Sequence, residues 1–153
     1  MLKGTKLTLT LFSLLLITGL IACSTNNYPS NKAIANGDVV YFNETYNLDT
    51  FQRFIANVET QQPDSIRITG YTEEGDALIK DLKFDGEAIH YTYDNSRDKH
   101  GGKNKGKHKD ICTTITSEES EEWGFNYIIS DCTYNDSKIS YFLLRTENEL
   151  QTN

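Results

Sequence analysis

The stretch "SIRITGYTEEGDALIKDLKFDGEAIHYTY", residues 65–93, decides the fold because its apolar side chains recur with a period of two between polar turns. Successive side chains of a strand point to opposite faces, so each run predicts a strand that buries one face. The turns are Glu74-Gly75-Asp76 and Asp85-Gly86, and Asp-Gly is a strong hairpin signal. We therefore predict three consecutive antiparallel strands. The positions that carry the pattern are Ile66, Ile68, Leu78, Leu82, Phe84, Ile89, Tyr91 and Tyr93.

A helical pattern precedes these strands, and further strands follow them. The apolar residues Leu48, Phe51, Phe54, Ile55 and Val58 share one helical face; Asn47 is a candidate N-cap, and Pro63 ends the helix at the latest. Residues 39–42 open the domain with an apolar run, and residues 111–116, 125–131 and 138–145 read as strands, with Asn135-Asp136 as a turn. The predicted fold class is α+β: one N-terminal amphipathic helix packed on a five- or six-stranded, mostly antiparallel sheet.

The N-terminus has the layout of a secretory signal peptide. Lys3 and Lys6 precede an uncharged, Leu-rich run over residues 7–22, which is shorter than the roughly 20 residues of a membrane span. The run ends in Leu20-Ile21-Ala22-Cys23, which resembles the lipobox of bacterial lipoproteins. That resemblance implies cleavage before Cys23 and a diacylglyceryl group on its thiol, and two acyl chains make a stable anchor. A plain tethering helix with an incidental cysteine is the alternative.

These features divide the chain into four parts: a lipoprotein signal peptide over 1–22, a flexible polar tether over 23–37, one domain over 38–147 and a polar tail over 148–153. Without the signal, 13 basic residues face 22 acidic ones, a formal charge of −9. This balance argues against nucleic acid as a partner and against general adhesion to an anionic membrane surface. It suits a soluble domain held close to that surface by its lipid.

The domain also resembles a known family over residues 38–147. The pattern I-R-I-T-x-Y-T-x-E-G-D-P-I, followed by D-L, D-G and D-N-T-R-D, is typical of small bacillus-type lipoproteins that carry a domain of unknown function. Here residues 66–76 fit the pattern, Ala77 replaces the usual Pro, and Ser96 replaces Thr. The resemblance implies an envelope lipoprotein with no established activity. It supplies no catalytic residues.

Lipidation of Cys23 would leave Cys112 and Cys132 free to pair, each at the start or end of a predicted strand. We favour a disulfide between them. Two buried thiols or a redox pair are the alternatives, although the C-x-x-C spacing typical of a redox pair is absent.

A lysine-rich loop is the one local feature that opposes the overall negative charge. In "RDKHGGKNKGKHK", residues 97–109, six cations and two histidines accompany three glycines and no apolar residue, so we expect an exposed, mobile loop. Its candidate anion-binding residues are Lys103, Lys105, Lys107 and Lys109. They fit phosphate-rich wall polymers or lipid headgroups; a solvated hairpin loop is the alternative. The partial P-loop pattern at 101–108 lacks the Ser or Thr hydroxyl and the following helix that a nucleotide site needs.

The sequence gives less support for a metal site, a hydrolase site or a tyrosine-rich binding face. Asp94, Ser96 and Asp98 alternate as the first ligands of a calcium loop do, but the rest of that motif is missing, which favours an Asx-turn; we expect no metal and no cofactor. Glu73, Glu74, Asp76 and Asp81 offer carboxylates for a hydrolase, although turn acids are usually solvated. Tyrosines on a sheet face can bind carbohydrate or peptide. The five candidates of this kind are Tyr71, Tyr91, Tyr93, Tyr127 and Tyr141.

The sequence thus predicts a lipid-anchored protein on the outer face of the bacterial cytoplasmic membrane. We expect a binding or accessory module with no catalysis of its own, whose partners are the membrane through Cys23 and an anionic wall polymer or an envelope protein. An envelope hydrolase that uses turn carboxylates, and an inhibitor or immunity protein, are the alternative functions. The hydrolase requires a concave pocket in which two carboxyl groups converge.

Overall fold

A computed structural model describes residues 28–42, 44–120, 124–133 and 139–150. In these ranges the chain forms two α-helices and nine strands, so the protein is mostly β and broadly α+β. The helices are α1 (Ser30–Ala35) and α2 (Leu48–Glu59). The strands are β1 (Val39–Tyr41), β2 (Thr45–Tyr46), β3 (Asp64–Tyr71), β4 (Ala77–Phe84), β5 (Ile89–Asp94), β6 (Lys107–Cys112), β7 (Thr114–Ser120), β8 (Gly124–Cys132) and β9 (Ile139–Thr146).

The strands form two sheets, whereas the sequence predicted one. The first is a six-stranded mixed sheet in the order β2-β1-β3-β4-β5-β6, and the second is a three-stranded sheet in the order β7-β8-β9. The predicted meander β3-β4-β5 is confirmed, with antiparallel pairing throughout. Strand β1 instead pairs with β3 in parallel, which requires a crossover between them, and α2 lies in that crossover.

The change of sheet occurs within one predicted strand. The run 111–116 is divided at Thr113 between β6, which pairs with β5, and β7, which pairs with β8. Both halves keep backbone pairing, because the Thr113 amide donates to the Ser130 carbonyl and the Thr133 amide donates to the Ile111 carbonyl. The side-chain phase changes across this point, because Ile111 is exposed and Cys112 is buried whereas Ile115 packs against the core.

The core lies between the inner face of the first sheet, helix α2 and the second sheet. Phe51 and Phe54 of α2 are fully buried, as the helical pattern predicted, and the Phe51 ring contacts the Tyr127 ring edge to face at 5.3 Å. The core cluster also contains Ile66, Ile68, Leu82, Phe84, Ile89, Tyr91, Ile129, Leu143 and Leu144. The outer face of the first sheet therefore remains for other contacts.

Asn47 occupies the position before α2, but its role differs from the predicted cap. It adopts a left-handed conformation with φ 55°, and its side chain makes no capping hydrogen bond. Its amide nitrogen instead donates to the Ile34 carbonyl at 3.1 Å and to the Asp38 carbonyl at 2.8 Å. The side chain thus fastens the end of α1 to the start of the sheet.

Residues 28–37, which the sequence analysis assigned to the tether, are structured. Ala33 of α1 is fully buried, and the Tyr28 hydroxyl donates to Asp38 Oδ2 at 2.9 Å. The Tyr71 hydroxyl donates to the Tyr28 carbonyl, also at 2.9 Å. A six-residue helix is too short to show a period in the sequence, and these contacts with distant residues are what hold it in place.

Leu150, in the first half of the predicted polar tail, also contacts the domain. The Leu150 amide donates to the Tyr127 hydroxyl at 2.7 Å, and the Leu150 side chain packs against the core. The predicted turn at residues 135–136 lies outside the described residues, as does the whole of the predicted signal peptide with Cys23. Among the helices that the structure describes, none is long and apolar enough to cross a membrane.

Candidate anion-binding site

The lysine-rich segment forms the connection between β5 and β6, and its backbone is fastened at both ends. The Asn95 amide donates to the Gly106 carbonyl at 3.1 Å, and the Gly106 amide donates to Asn95 Oδ1 at 2.7 Å. The Lys99 amide donates to Asp76 Oδ2 at 2.8 Å. Most residues of the segment are exposed, as expected, while these bonds attach its backbone to Asp76 and Asn95. A strand, β6, rather than a helix follows Gly106, which removes the structural context of a P-loop.

The cations of this segment fall into two groups. Lys99 lies 3.1 Å from Asp76, while Arg97 and Lys107 lie 3.4 and 3.6 Å from Asp94 Oδ2. Within the described residues, no carboxylate lies within 4 Å of the amines of Lys103, Lys105 and Lys109, and all three side chains are exposed. Of the four predicted lysines, these three therefore carry charge that no neighbouring carboxylate offsets.

The register of the first sheet shows which other charged residues lie beside these lysines on its outer face. Lys109 of β6 is aligned with Thr92 of β5, then with Asp81 of β4 and Arg67 of β3. Lys83 of β4 belongs to the same face, because it is two residues from Asp81. We call Lys83, Lys103, Lys105, Lys107 and Lys109 the basic surface.

The sequence-based prediction of the site did not include Lys83 and Arg67, although the alternation in β3 and β4 indicates that both lie on the outer face. Both side chains stand at odd positions between the buried residues of β3 and β4, which places them on the outer face. Arg67 and Asp81 form a two-point ion pair at 2.6 and 3.0 Å. This pair fixes the guanidinium beside Asp81 and leaves its charge locally balanced.

The residues of the partial calcium motif form turns, as the sequence favoured. Asp94 Oδ1 accepts from the Ser96 amide, and Asp98 Oδ1 accepts from the His100 amide, so both aspartates form Asx-turns. Burial acts to raise the pKa of Asp94, but the hydrogen bonds from Ser96 and the charges of Lys107 and Arg97 together lower it. In the described part of the chain, no group of three or more His, Cys, Asp and Glu side chains could hold a metal ion.

Of the four carboxylates considered for a hydrolase, two are paired with different cations and two are exposed. Asp76 is buried under Lys99, whose backbone amide is the main cause of its lowered pKa. Asp81 is held by Arg67, and Glu73 and Glu74 are exposed at the β3–β4 turn. The structure therefore provides no observation that favours a pair of converging catalytic carboxylates among these four residues.

The tyrosines do not form an exposed binding face. Tyr91 and Tyr127 are buried, and the rings of Tyr91 and Tyr141 stack at 4.8 Å inside the fold. Tyr93 packs against the core, and Tyr71 contacts the Tyr28 segment through its hydroxyl. The five residues proposed for carbohydrate or peptide binding thus act mainly in packing.

Cys112 and Cys132 lie at the ends of β6 and β8, with their sulfur atoms 2.03 Å apart, the distance of a disulfide. Both are fully buried, and the bond connects the first sheet to the second. The predicted pair is therefore at bonding distance in the structure.

A buried lysine, Lys80, was also missed by the sequence reasoning. Its amine donates to the Tyr41 hydroxyl at 2.8 Å and to the Leu143 carbonyl at 2.6 Å, and it lies 4.8 and 4.9 Å from the ring centroids of Tyr41 and Phe142. Gly70 makes room for the Tyr41 ring, since a Cβ there would lie 2.7 Å from Tyr41 Cζ. The alternation in the sequence does indicate this burial, because Lys80 lies two residues before Leu82 and four before Phe84, and alternate residues of a strand share one face.

The sequence model of a family described as a domain of unknown function, DUF4362, matches residues 36–127. The chain belongs to the DUF4362 family. The matched range of the DUF4362 domain runs from the end of α1 into β8 and includes the entire first sheet with its outer face. No curated protein and no solved structure matches the chain.

Membership of the DUF4362 family agrees with the family resemblance seen in the sequence, as far as a domain of unknown function is concerned. It assigns no activity to the DUF4362 domain. The lipoprotein anchor and the details of the sequence pattern remain predictions.

Proposed function

We propose that this DUF4362 domain is a lipid-anchored envelope protein, held by Cys23 at the outer face of the cytoplasmic membrane, that binds an anionic, phosphate-rich polymer without catalysis. The basic surface is the observation that supports the binding role. It places Lys83, Lys107 and Lys109 on one face of a sheet, beside the loop that carries Lys103 and Lys105. A polyanion that spans this surface would contact several cations at once.

The overall negative charge of the chain favours binding of an anionic polymer at the basic surface over other parts of the protein. The formal charge of the chain is −7, so an anionic polymer is repelled by most of the protein and attracted at one place. The edge strand β6 gives Lys107 and Lys109 a fixed spacing, because alternate residues of a strand point to the same side. A regular array of cations suits a ligand with regularly spaced phosphates.

Retention on a phosphate polymer tests this role. We expect the full chain in mild detergent to be retained by immobilised poly(glycerol phosphate) at about 50 mM salt, where the Debye length exceeds 10 Å. Neutralising about four phosphates predicts a loss of roughly 50-fold in affinity between 50 and 200 mM salt. Changing Lys103, Lys105, Lys107 and Lys109 to Gln should abolish retention with little effect on stability, because exposed side chains contribute little to it.

A charge-matched pair of variants separates the site from general attraction. Lys105→Gln with Lys109→Gln should weaken retention strongly, whereas Lys32→Gln with Arg145→Gln removes two exposed cations elsewhere and should leave it nearly unchanged. Equal retention of the two double variants, or of the wild type and the fourfold variant, would show that the loop is only a solvated connection.

The anchor is tested by Cys23→Ser. Because residues 7–22 are too short to span a bilayer well, membrane retention should depend on the acylated thiol, and the variant should be lost from the membrane fraction. Cell fractionation with a mass measurement of the N-terminus checks this and identifies uncleaved signal. A processed variant that stays in the membrane fraction would contradict the lipoprotein assignment.

A further inference from the structure

A cleft of about 700 Å³ opens beside the first half of β3. Strand β1 pairs only with residues 68–70 of β3, so it leaves residues 64–67 uncovered on that side. Helix α2 borders the gap with Thr50 and Arg53, and the segment 36–38 borders it together with Tyr28, whose hydroxyl contacts Asn36 and Asp38. The outer face supplies the remaining wall through residues of β3, β4 and β5, namely Ser65, Arg67, Asp81, Lys83, His90 and Thr92.

Paired and unpaired cations line this cleft. Arg53 pairs with Asp64 at 3.4 Å and Arg67 pairs with Asp81, while Lys83 and the carboxylate of Asp38 also line it. The carboxylates of Asp81 and Asp38 are already engaged, since Asp81 binds Arg67 and Asp38 Oδ2 accepts from the Thr69 hydroxyl at 2.7 Å and from the Tyr28 hydroxyl. The Lys83 amine has no carboxylate within 4 Å among the described residues. Of the cleft residues that the structure describes, Lys83 is therefore the cation that remains open to an anion.

The position of Arg67 is defined before any ligand arrives. Its Nε and one terminal nitrogen donate to the two oxygens of Asp81, and the Tyr28 hydroxyl and the charge of Asp38 add to the interactions that hold it. A guanidinium fixed in this way binds phosphate with geometric preference, because less side-chain freedom is lost on binding. Thr50, Ser65 and Thr92 add hydroxyl groups around it. Such groups donate to and accept from the hydroxyls of a ligand.

The cleft is continuous with the basic surface. Lys83 belongs to both, and Thr92, which lines the cleft, is aligned with Lys109 across the β5–β6 pairing. A chain that lies along the lysines can therefore place one of its units beside Arg67. A volume of about 700 Å³ falls within the usual range for small-ligand sites, roughly 300–1,000 Å³.

From these observations we propose that the cleft binds a hydroxyl-bearing phosphate unit, as found in a polyol phosphate polymer or in a phospholipid headgroup. Arg67 and Lys83 bind the phosphate, and Thr50, Ser65 and Thr92 bind the hydroxyls. This inference rests on the proposed function. It adds a subsite that selects the chemical nature of the unit, whereas the lysines of the basic surface respond only to the density of charge.

The test is an amide-shift titration by NMR of the full chain in mild detergent. The probes are glycerol 3-phosphate, inorganic phosphate and glycerol. We expect glycerol 3-phosphate to shift the amides of Ser65, Arg67 and Thr92, with at least fivefold higher affinity than inorganic phosphate, because only it uses both kinds of group. Arg67→Lys keeps the charge but loses the fixed guanidinium, so affinity should fall about tenfold. Arg145→Lys is the matched control and should change nothing.

Competition then distinguishes the sources of the ligand and the two proposals. Displacement of glycerol 3-phosphate by soluble poly(glycerol phosphate) assigns the polymer, and displacement by phosphatidylglycerol vesicles assigns the headgroup; displacement by neither overturns the inference. Equal affinity for inorganic phosphate, or an unchanged affinity in Arg67→Lys, also overturns it. If polymer retention still depends on the four lysines in those cases, the proposed function stands without the cleft; if retention is lost as well, both proposals are wrong.

Discussion

We expect the wild-type chain to gain stability between pH 7 and pH 9.5, and replacing Lys80 with methionine should remove most of that gain. Burial lowers the pKa of Lys80 to about 7, whereas an unfolded lysine titrates near 10.5. Between these two values the unfolded chain binds one proton more than the folded chain, so stability increases with pH. The two pKa values predict a rise of about 3 kcal/mol from pH 7 to 9.5.

The contacts of Lys80 explain the size of this effect. It is only 6% exposed, and its bonds go to a hydroxyl and a carbonyl rather than to a carboxylate. Below pH 7 the folded protein holds an ammonium ion in the core, which is unfavourable without an opposite charge. At pH 9.5 the neutral amine still donates its hydrogen bonds. Burial also raises the pKa of Tyr41 to about 12, so Tyr41 stays protonated throughout this window.

Urea unfolding of the chain from Ser24 onward, measured at several pH values, checks the prediction. Lys80→Met should be at least as stable as the wild type at pH 7 and less stable at pH 9.5, where the Tyr41 hydroxyl and the Leu143 carbonyl lose their partner. Lys83→Met is the matched control, because Lys83 is exposed on the opposite face of the same strand. Wild-type and Lys80→Met curves that run parallel with pH would contradict the assigned role of Lys80.

Removing the bond between Cys112 and Cys132 should lower the free energy of unfolding by about 3 kcal/mol in the chain-entropy description of a loop of this length. The two residues are separated by 20 positions and connect the end of β6 to the end of β8. Without the bond, the unfolded chain regains freedom, and the two sheets lose their covalent link at a buried point.

The double variant Cys112→Ala and Cys132→Ala tests this in urea, with the wild type as reference. Intact-mass measurement after alkylation under native and denaturing conditions should first show no free thiol at either position in the wild-type chain. Two alkylated thiols would contradict the bond itself. A double variant within about 0.5 kcal/mol of the wild type would show that the bond adds little to stability, since changes of that size are typical of ordinary surface substitutions.

Much of the local structure was accessible from the sequence because it depends on neighbouring residues. The period of two over 65–93 predicted β3, β4 and β5, and the apolar face of 48–58 predicted α2. The Asp85-Gly86 turn is a four-residue connection, with Asp85 Oδ1 accepting from the Glu87 and Ala88 amides, instead of the two-residue turn that the dipeptide suggests. Even there the strands and their pairing were correct.

Only part of the candidate site could be predicted from the sequence. The loop could be identified because its lysines are close together in the sequence. Lys83 and Arg67 lie near it only through the strand register, and the sequence pattern alone does not align β3 and β4 with residue 109. The same pairing showed which lysines are offset by carboxylates, since Asp94 lies opposite Lys107 across β5 and β6.

By itself the sequence determined the elements of the meander, the amphipathic helix, the candidate cysteine pair and the position of the lysine-rich loop, because each follows from spacing or composition over a short stretch. Only the tertiary structure decided that the strands divide into two sheets at Thr113, that β1 runs parallel to β3, that α1 docks on the domain and that Lys80 is buried between sheets. The physical reason is that these features depend on contacts between residues far apart in the chain. The Lys80 amine and the Leu143 carbonyl, 63 positions apart, meet only when the second sheet closes over the first.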